Sequence, residues 1–180
     1  IDYLTQHFKG MPHLSMHLVD ENFGILRRDT QIADYILWSA ESKGFPRALH
    51  FYNDKRFNKT ARHVIGSLGH MTKYGLALSL QTENPETLKE IKRSNLTPEQ
   101  IDEAIQWASE QDLPTTTELI FGLPYETKDS FSCLLNNAVK RGFDSILVNN
   151  LFIMDGIEMN HQVFRTKHKL KTRFRPAGTN

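Results

Sequence analysis

The sequence lacks several features that would assign it to a common class. It contains one cysteine, Cys133, so an internal disulfide is excluded and a reducing compartment, by default the cytoplasm, is expected. No apolar run approaches the roughly 20 residues of a membrane span, and Ile1 to Leu4 lack the basic start and apolar core of a signal peptide. Neither GxGxxG nor GxxxxGK(S/T) follows a predicted strand. The sequence therefore gives no sign of a secreted, membrane-spanning or dinucleotide-binding protein.

The charge is nearly balanced but unevenly distributed. The 180 residues are 39% hydrophobic and have a net charge of +1, which fits a folded chain without a strong preference for nucleic acid. Segment 161–180 contains no acidic residue and six basic ones, namely Arg165, Lys167, Lys169, Lys171, Arg173 and Arg175. Because no aromatic stacking pattern accompanies these charges, a solvated or docking face is favoured over nucleic-acid binding. We divide the chain into a domain, 1–160, and a basic C-terminal extension, 161–180.

Five segments rich in β-branched and bulky apolar residues predict strands, which begin near residues 14, 47, 76, 116 and 145. Helical patterns lie between them, with helix caps expected at Asp29 or Thr30, Asn58, Asn84, Thr97 and Thr127. A βα unit of a barrel takes about 31 residues, and strands that alternate with helices at such spacing predict parallel pairing with right-handed crossovers. The expected fold is α/β, a partial (β/α) TIM-type barrel of about five parallel strands with outer helices.

Polar residues follow every predicted strand at its carboxyl end, the edge where such folds bind ligands. These residues are Asp20, Asn22, Asn53, Asp54, Lys55, Gln81, Thr82, Glu83, Glu118, Asn149 and Asn150. Loops are polar in general, which is enough to explain Asp54 and Glu83. Gln81 and Glu118 are stronger candidates because they lie in, or directly at the end of, an apolar strand.

The junction at residues 116–131 is the most informative stretch of the chain. Gly122 ends a strand, Pro124 cannot continue its ladder, and Thr127 can cap the following helix. A glycine at the carboxyl edge of a parallel sheet lets a flat ligand lie against bare backbone. This stretch therefore predicts a ligand-binding turn.

Four segments, taken in order and spacing, resemble the radical S-adenosylmethionine (radical SAM) superfamily. Residues 118–127, ELIFGLPYET, resemble the family's fifth-strand motif. Residues 78–93, with LSLQT followed by an arginine at their end, are similar to its ribose-binding strand and the arginine beyond it. Residues 151–159 resemble the segment after its sixth strand, and DENFG at 20–24 is similar to a branch that has a cobalamin-binding domain.

The sequence also departs from that family. Tyr125 stands where the family has glycine, which puts the shape of the turn in question, and Asp155 and Ile157 replace a proline and a threonine. The CxxxCxxC loop that holds the iron–sulfur cluster is absent, and Cys133 lies on the apolar side of a helical pattern, where we expect it to be buried. We expect a fragment that is inactive alone and lacks N-terminal segments of the same protein.

The resemblance implies that the parent protein is an enzyme, a radical SAM iron–sulfur oxidoreductase or transferase. Its 4Fe–4S cluster would reduce S-adenosylmethionine to a 5′-deoxyadenosyl radical, for hydrogen abstraction or methyl transfer on an unidentified small molecule. A flavodoxin or ferredoxin would supply electrons, and a separate domain would bind cobalamin. The fragment itself would bind no metal and would retain at most weak affinity for S-adenosylmethionine.

The resemblance also implies a set of cofactor-binding residues and no proton-transfer catalyst. Arg93 would pair with the methionine carboxylate, for which a guanidinium is well shaped. Gln81 would bind the ribose, and Gly122 would border the adenine. The full set is Asp20, Asn22, Ser79, Gln81, Arg93, Glu118, Gly122, Leu123, Asn149 and Leu151.

Two other functions stay open from the sequence. A metal-dependent TIM-barrel hydrolase could use His17, Asp20, His50 and Asp54 from neighbouring strands, although no His-x-His pair is present. A non-catalytic nucleotide-binding module is the second alternative.

Overall fold

The computed structural model describes residues 1–11, 13–20, 22–53 and 56–173, and within these it contains seven α-helices and five strands. The helices are α1 (Asp2–Phe8), α2 (Arg27–Lys43), α3 (Lys59–Leu68), α4 (Pro85–Glu90), α5 (Pro98–Glu110), α6 (Lys128–Lys140) and α7 (Gln162–Lys167). The strands are β1 (Met16–His17), β2 (Leu49–His50), β3 (Leu76–Gln81), β4 (Thr115–Phe121) and β5 (Ser145–Asn150). Short 3-10 turns lie at Gly69–Met71 and Glu158–Asn160.

All of these strand pairs are parallel, as the alternation of strands and helices predicts. Strands β3, β4 and β5 form a three-stranded sheet in chain order, whereas β1 and β2 form a separate two-stranded sheet. The two sheets are joined where the Asn53 side-chain amide donates to the Ala77 carbonyl at 3.2 Å, and a parallel bridge links Asn53 to Phe23. The α/β fold is confirmed, with the five strands divided into two groups.

The burial pattern of β3 separates an outer from an inner face. Leu76, Leu78 and Leu80 are buried, and the residues between them are only half-buried. Successive side chains of a strand point to opposite faces, so the leucines lie in the core that also contains residues of α5 and α6. Ser79 and Gln81, which are predicted site residues, therefore lie on the other face.

Most helices begin where the sequence predicts. Asn58, Asn84, Thr97 and Thr127 each accept a backbone N–H from the first turn of α3, α4, α5 and α6, respectively. The predicted cap of α2 is wrong, because that helix begins at Arg27. Asp29 instead lies in its first turn, buried, and accepts hydrogen bonds from the backbone of Gly24 at 3.0 Å and Leu26 at 2.9 Å.

The expectation that Cys133 is buried is wrong. Its side chain is exposed on α6. The buried stripe of that helix passes through Leu134 and Ala138, and neighbouring residues of a helix are rotated by about 100° from each other. That rotation turns Cys133 away from the sheet even though it adjoins a core leucine.

The start of the basic extension packs back onto the domain. In the segment after 160, Lys167 donates to the two carboxylate oxygens of Glu90 at 2.8 and 2.9 Å, and His168 lies 2.9 Å from the same carboxylate. These two partners hold the pKa of Glu90 below its ordinary range. Arg175 lies outside the described residues, and the boundary at 160 stays a prediction. Across the described ranges, no helix has the length and apolarity needed to cross a membrane.

Because Asp144 is hydrogen-bonded to Thr115, part of the free energy of unfolding should be lost as the pH falls. Asp144 accepts from the Thr115 backbone N–H at 2.7 Å and from its hydroxyl at 2.8 Å, which lowers the pKa of Asp144 below its ordinary 3.8. A carboxylate with a depressed folded-state pKa stabilises fully above the unfolded value and loses that contribution as pH falls through the folded one. The free energy of unfolding, measured with urea at about pH 6 and about pH 3, should therefore fall more for the native protein than for Asp144→Asn. Equal acid losses would contradict this role.

Candidate functional site

The carboxyl ends of β3, β4 and β5 lie side by side and present most of the predicted site. Gln81 pairs in register with Leu119, and Asn149 pairs with Ile120. Beyond the ladder, the Leu151 N–H donates to the Phe121 carbonyl at 2.8 Å. The sheet itself thus brings predicted residues from the ends of β3 and β5 to one edge, beside the end of β4.

Gly122 has no side chain to cover the backbone of this edge. Its φ of +93° is a conformation that favours glycine, and among the described residues an added Cβ would have only the Leu151 side chain near it, at 3.8 Å. Leu123, the next residue, is buried, with 4% of its surface exposed. Its side chain belongs to the core, so only its backbone can border a ligand.

Side chains from the segment after β3 hold the glycine-proline turn in place. Thr87 is fully buried and donates to the Pro124 carbonyl at 2.6 Å. The Thr82 hydroxyl donates to one carboxylate oxygen of Glu126, and the Ser130 hydroxyl donates to the other at 2.7 Å. Sequence reasoning gave none of these five residues this role, because each is an ordinary loop or helix residue until the fold brings it into contact.

Tyr125 adopts a backbone conformation that glycine favours. Its φ is +65°, in the left-handed region that non-glycine residues rarely occupy. Its ring packs edge-on against His168 at a centroid distance of 5.1 Å. The turn therefore keeps a glycine-like backbone, and the tyrosine side chain gains a contact with the segment after α7.

Gln81 lies in a tight turn that interrupts the end of β3. The register between β3 and β4 shifts between Leu78 and Gln81, and Gln81 has a φ of +61°. The Thr82 N–H donates back to the Leu80 carbonyl at 2.7 Å, which closes a three-residue γ-turn around Gln81. The γ-turn with positive φ at its centre is the rare and strained form. Such backbone strain is concentrated at functional sites.

Arg93, Ser79 and Glu118 form one polar cluster beside this turn. The Ser79 hydroxyl donates to Glu118 at 3.2 Å, and the Arg93 guanidinium donates to the Ser79 carbonyl and, at 3.1 Å, to the Asn95 side chain. Burial lowers the pKa of Arg93, while the negative charge of Glu118 opposes that shift. An arginine has five N–H donors. Within the described residues Arg93 makes the two bonds to Ser79 and Asn95, so three of its donors remain for other partners.

Asp20 and Asn22 lie apart from this cluster, after β1. Both are exposed, and Asp20 accepts the backbone N–H of Asn22 at 2.9 Å. Among the described residues, no hydrogen bond joins either of them to the edge of β3–β5. The structure thus groups eight of the ten predicted residues, and these two lie in the segment that follows β1 of the other sheet.

Known proteins are similar to this chain in sequence. No protein-family profile matches it. The cobalamin-dependent radical SAM methyltransferase TokK of Streptomyces tokunonensis is 28% identical over 148 residues, which are 81% of this chain and 22% of TokK. The 2-(S-pantetheinyl)-carbapenam-3-carboxylate methyltransferase of Streptantibioticus cattleyicolor is 30% identical over 129 residues, or 71% of this chain and 19% of that protein. The chain belongs to the radical SAM superfamily.

Solved structures agree on the fold. TsrM from Kitasatospora setae, a radical SAM methyltransferase solved with cobalamin and a 4Fe–4S cluster, superposes with a TM-score of 0.63 at 16% identity, over 83% of this chain and 29% of TsrM. The radical SAM enzyme HemN from Escherichia coli gives a TM-score of 0.50 at 17% identity, over 95% of this chain and 50% of HemN. The radical SAM chain described here spans about a fifth of the length of its curated relatives, at 22% and 19%.

The residues of this radical SAM chain do not fit a 4Fe–4S cluster. Such a cluster is held by several thiolates, and the sequence has one cysteine, which is exposed. In the part of the chain that the structure describes, no three His, Cys, Asp or Glu side chains come together as a possible metal site. The ring centroids of His17 and His50 are 4.4 Å apart, whereas Asp54 lies outside the described residues. Nothing here supports the metal-hydrolase alternative.

The inner face of the radical SAM sheet encloses a small cavity of about 150 Å³. Its polar and aromatic lining includes His50, Tyr52, Tyr74, Ser79, Thr116 and Glu118. Ligand pockets for drug-sized molecules measure about 300–1,000 Å³. The cavity is thus too small for a nucleoside cofactor, and the open carboxyl edge is the better candidate site.

Proposed function

We propose that this chain is the S-adenosylmethionine-binding part of a cobalamin-dependent radical SAM methyltransferase. The observation that carries the proposal is its similarity to two curated methyltransferases over 81% and 71% of its length. The grouping of Gln81, Arg93 and Gly122 at one edge of the sheet supports it. The proposed reaction class is methyl transfer to a small molecule, and the proposed location is the cytoplasm.

The residues at this edge can bind and orient S-adenosylmethionine. In this superfamily the bound cofactor supplies a methyl group or a radical. The three remaining N–H donors of Arg93 are suited to a carboxylate, which accepts paired hydrogen bonds from a guanidinium. Gln81 can donate and accept at neighbouring hydroxyls of a ribose, and Gly122 with Leu151 leaves bare backbone for the adenine. Ser79, Glu118, Leu123 and Asn149 complete the proposed cofactor surface, with Asp20 and Asn22 proposed to meet the amino group or the substrate.

The remaining components are proposed to come from outside this chain. Thiolates for a 4Fe–4S cluster would lie in other segments of the same protein, because the residues here cannot supply them. Cobalamin would bind to a separate domain, and a flavodoxin or ferredoxin would deliver electrons. Among the basic residues after 160, Lys167 pairs with Glu90 of the same chain, and no nucleic-acid partner is proposed.

The proposal is tested on the intact protein that contains this chain. After anaerobic reconstitution with iron, sulfide and cobalamin, it should consume S-adenosylmethionine and release S-adenosylhomocysteine or 5′-deoxyadenosine, both measured by chromatography. The matched control is the same protein carried through reconstitution without iron, which should release neither product. Equal product from both samples, or none from a sample that contains four irons per chain, roughly the content of one such cluster, would refute the proposal.

A further inference from the structure

Asn95, which sequence reasoning did not select, contacts the Arg93 side chain and the backbone on both sides of Gln81. It lies in the loop between α4 and α5 and is half-buried. Its side-chain amide donates to the Leu80 carbonyl at 2.8 Å and to the Thr82 carbonyl at 2.7 Å. Its amide oxygen accepts from the Arg93 guanidinium at 3.1 Å. One side chain thus connects the end of β3 to Arg93.

The two carbonyls that Asn95 binds belong to the residues on either side of Gln81. Within the γ-turn, the Leu80 carbonyl also accepts the Thr82 N–H at 2.7 Å. A non-glycine residue with positive φ is strained, so the turn needs support from its surroundings. The amide of Asn95 supplies that support by bridging both sides of the turn.

Only an asparagine side chain meets the chemistry of this position. The reversed amide would place an oxygen against two carbonyl oxygens and an N–H₂ group against the arginine donor. Aspartate has the same shape but, when ionised, has no donor for the two carbonyls. Alanine would remove all three bonds. The amide orientation is therefore fixed by the Leu80 and Thr82 carbonyls and by Arg93 together.

We infer that Asn95 is a positioning residue of the S-adenosylmethionine site, which sets the backbone of Gln81 and the guanidinium of Arg93 as one rigid unit. The inference rests on the proposed function. Arg93 stabilises the same unit, because it also donates to the carbonyl of Ser79. Ser79 lies where the register between β3 and β4 shifts. Side chains held in advance by such supporting hydrogen bonds lose less entropy when a ligand binds.

The test measures binding of S-adenosylhomocysteine by calorimetry to the reconstituted intact protein. Asn95→Asp should weaken binding by about tenfold, the equivalent of one or two lost hydrogen bonds. Hydrogen–deuterium exchange of the peptide that spans residues 76–84 should become faster in the same variant. Asn136→Asp makes the same chemical change at an exposed position of α6 and should alter neither measurement.

A double-mutant cycle separates positioning from general destabilisation. If Asn95 acts through Gln81 as well as Arg93, Asn95→Asp combined with Gln81→Ala should weaken binding by clearly less than the product of the two single losses. Full additivity, or native affinity in Asn95→Asp despite faster exchange, would overturn the inference. Should Asn95→Asp unfold the protein, Asn95→Ala carries the same test without the added charge.

The cycle also distinguishes the inference from the function on which it rests. If Gln81→Ala and Arg93→Ala both keep native affinity for S-adenosylhomocysteine, the proposed site itself is wrong. If those two variants lose affinity and both Asn95 variants keep it, the site stands and the positioning role of Asn95 fails.

Discussion

Gly75→Ala is expected to lower the free energy of unfolding by roughly 3 to 5 kcal/mol, the range of severe core defects. Gly75 directly precedes β3 and has a φ of +55°, and an ideal Cβ there would lie 2.1 Å from the Pro114 carbonyl oxygen and 2.8 Å from the Pro114 ring. The carbonyl cannot retreat freely, because it accepts the Leu76 N–H at 2.9 Å. The new methyl group must therefore displace backbone at the start of the β3–β4 pair.

Gly142→Ala is the matched control for this substitution. Gly142 also has a positive φ, +83°, but an ideal Cβ there would meet nothing within 4 Å in the part of the chain that the structure describes. Its replacement should cost only the conformational penalty, about 1 kcal/mol. Urea unfolding of both variants separates the clash from the backbone strain. Equal losses in the two variants would show that the β3–β4 junction relaxes around the added methyl group.

Short-range features of the fold could be predicted from the sequence because their causes lie within a few residues. Asn84 and Thr97 cap helices through bonds to N–H groups two or three residues later. The length of a strand depends instead on its ladder partners. The strand predicted from residue 14 pairs in register only at Met16 and His17 with the residues of β2, which the local pattern of Leu14 to Asp20 cannot reveal.

The features of the candidate site likewise differ in whether their causes are local in the sequence. Gln81 and Gly122 could be predicted because the carboxyl ends of parallel strands share one edge. The strained turn at Gln81 could not, since the Asn95 side chain that bridges it lies 13 and 15 residues beyond the carbonyls it binds. Thr87 and Pro124 are separated by 37 residues. Contacts between distant loops follow from the packing of whole elements, and polar loop residues give no local sign of them.

Arg93→Ala should weaken the binding of S-adenosylhomocysteine to the reconstituted intact protein by roughly 10- to 100-fold. A hydrogen bond to a charged group contributes about 1.5–3 kcal/mol, and each 1.4 kcal/mol is about a tenfold change in affinity. Arg93→Lys keeps the charge but has a single ammonium in place of a planar fork. It cannot bind the Ser79 carbonyl, the Asn95 amide and a carboxylate in the same geometry, so an intermediate loss is expected.

The choice of ligand separates the two roles that the geometry gives to Arg93. 5′-Methylthioadenosine keeps the adenosine part but lacks the amino-acid carboxylate, so Arg93→Ala should weaken it much less than S-adenosylhomocysteine. Lys92→Ala removes the neighbouring cation, whose exposed pair with Glu158 spans 2.6 Å, and should change either affinity little because exposed ion pairs contribute about 0–1 kcal/mol.

Equal weakening of both ligands by Arg93→Ala would assign Arg93 to the support of β3 and not to the carboxylate. That result would follow from its bonds to the Ser79 carbonyl and Asn95, whose loss would disturb the Gln81 turn and hence the binding of any adenosine. Native affinity for both ligands would remove Arg93 from the site altogether. A selective loss for the carboxylate-bearing ligand is the one outcome that joins Arg93, Gln81 and Gly122 in a single S-adenosylmethionine site.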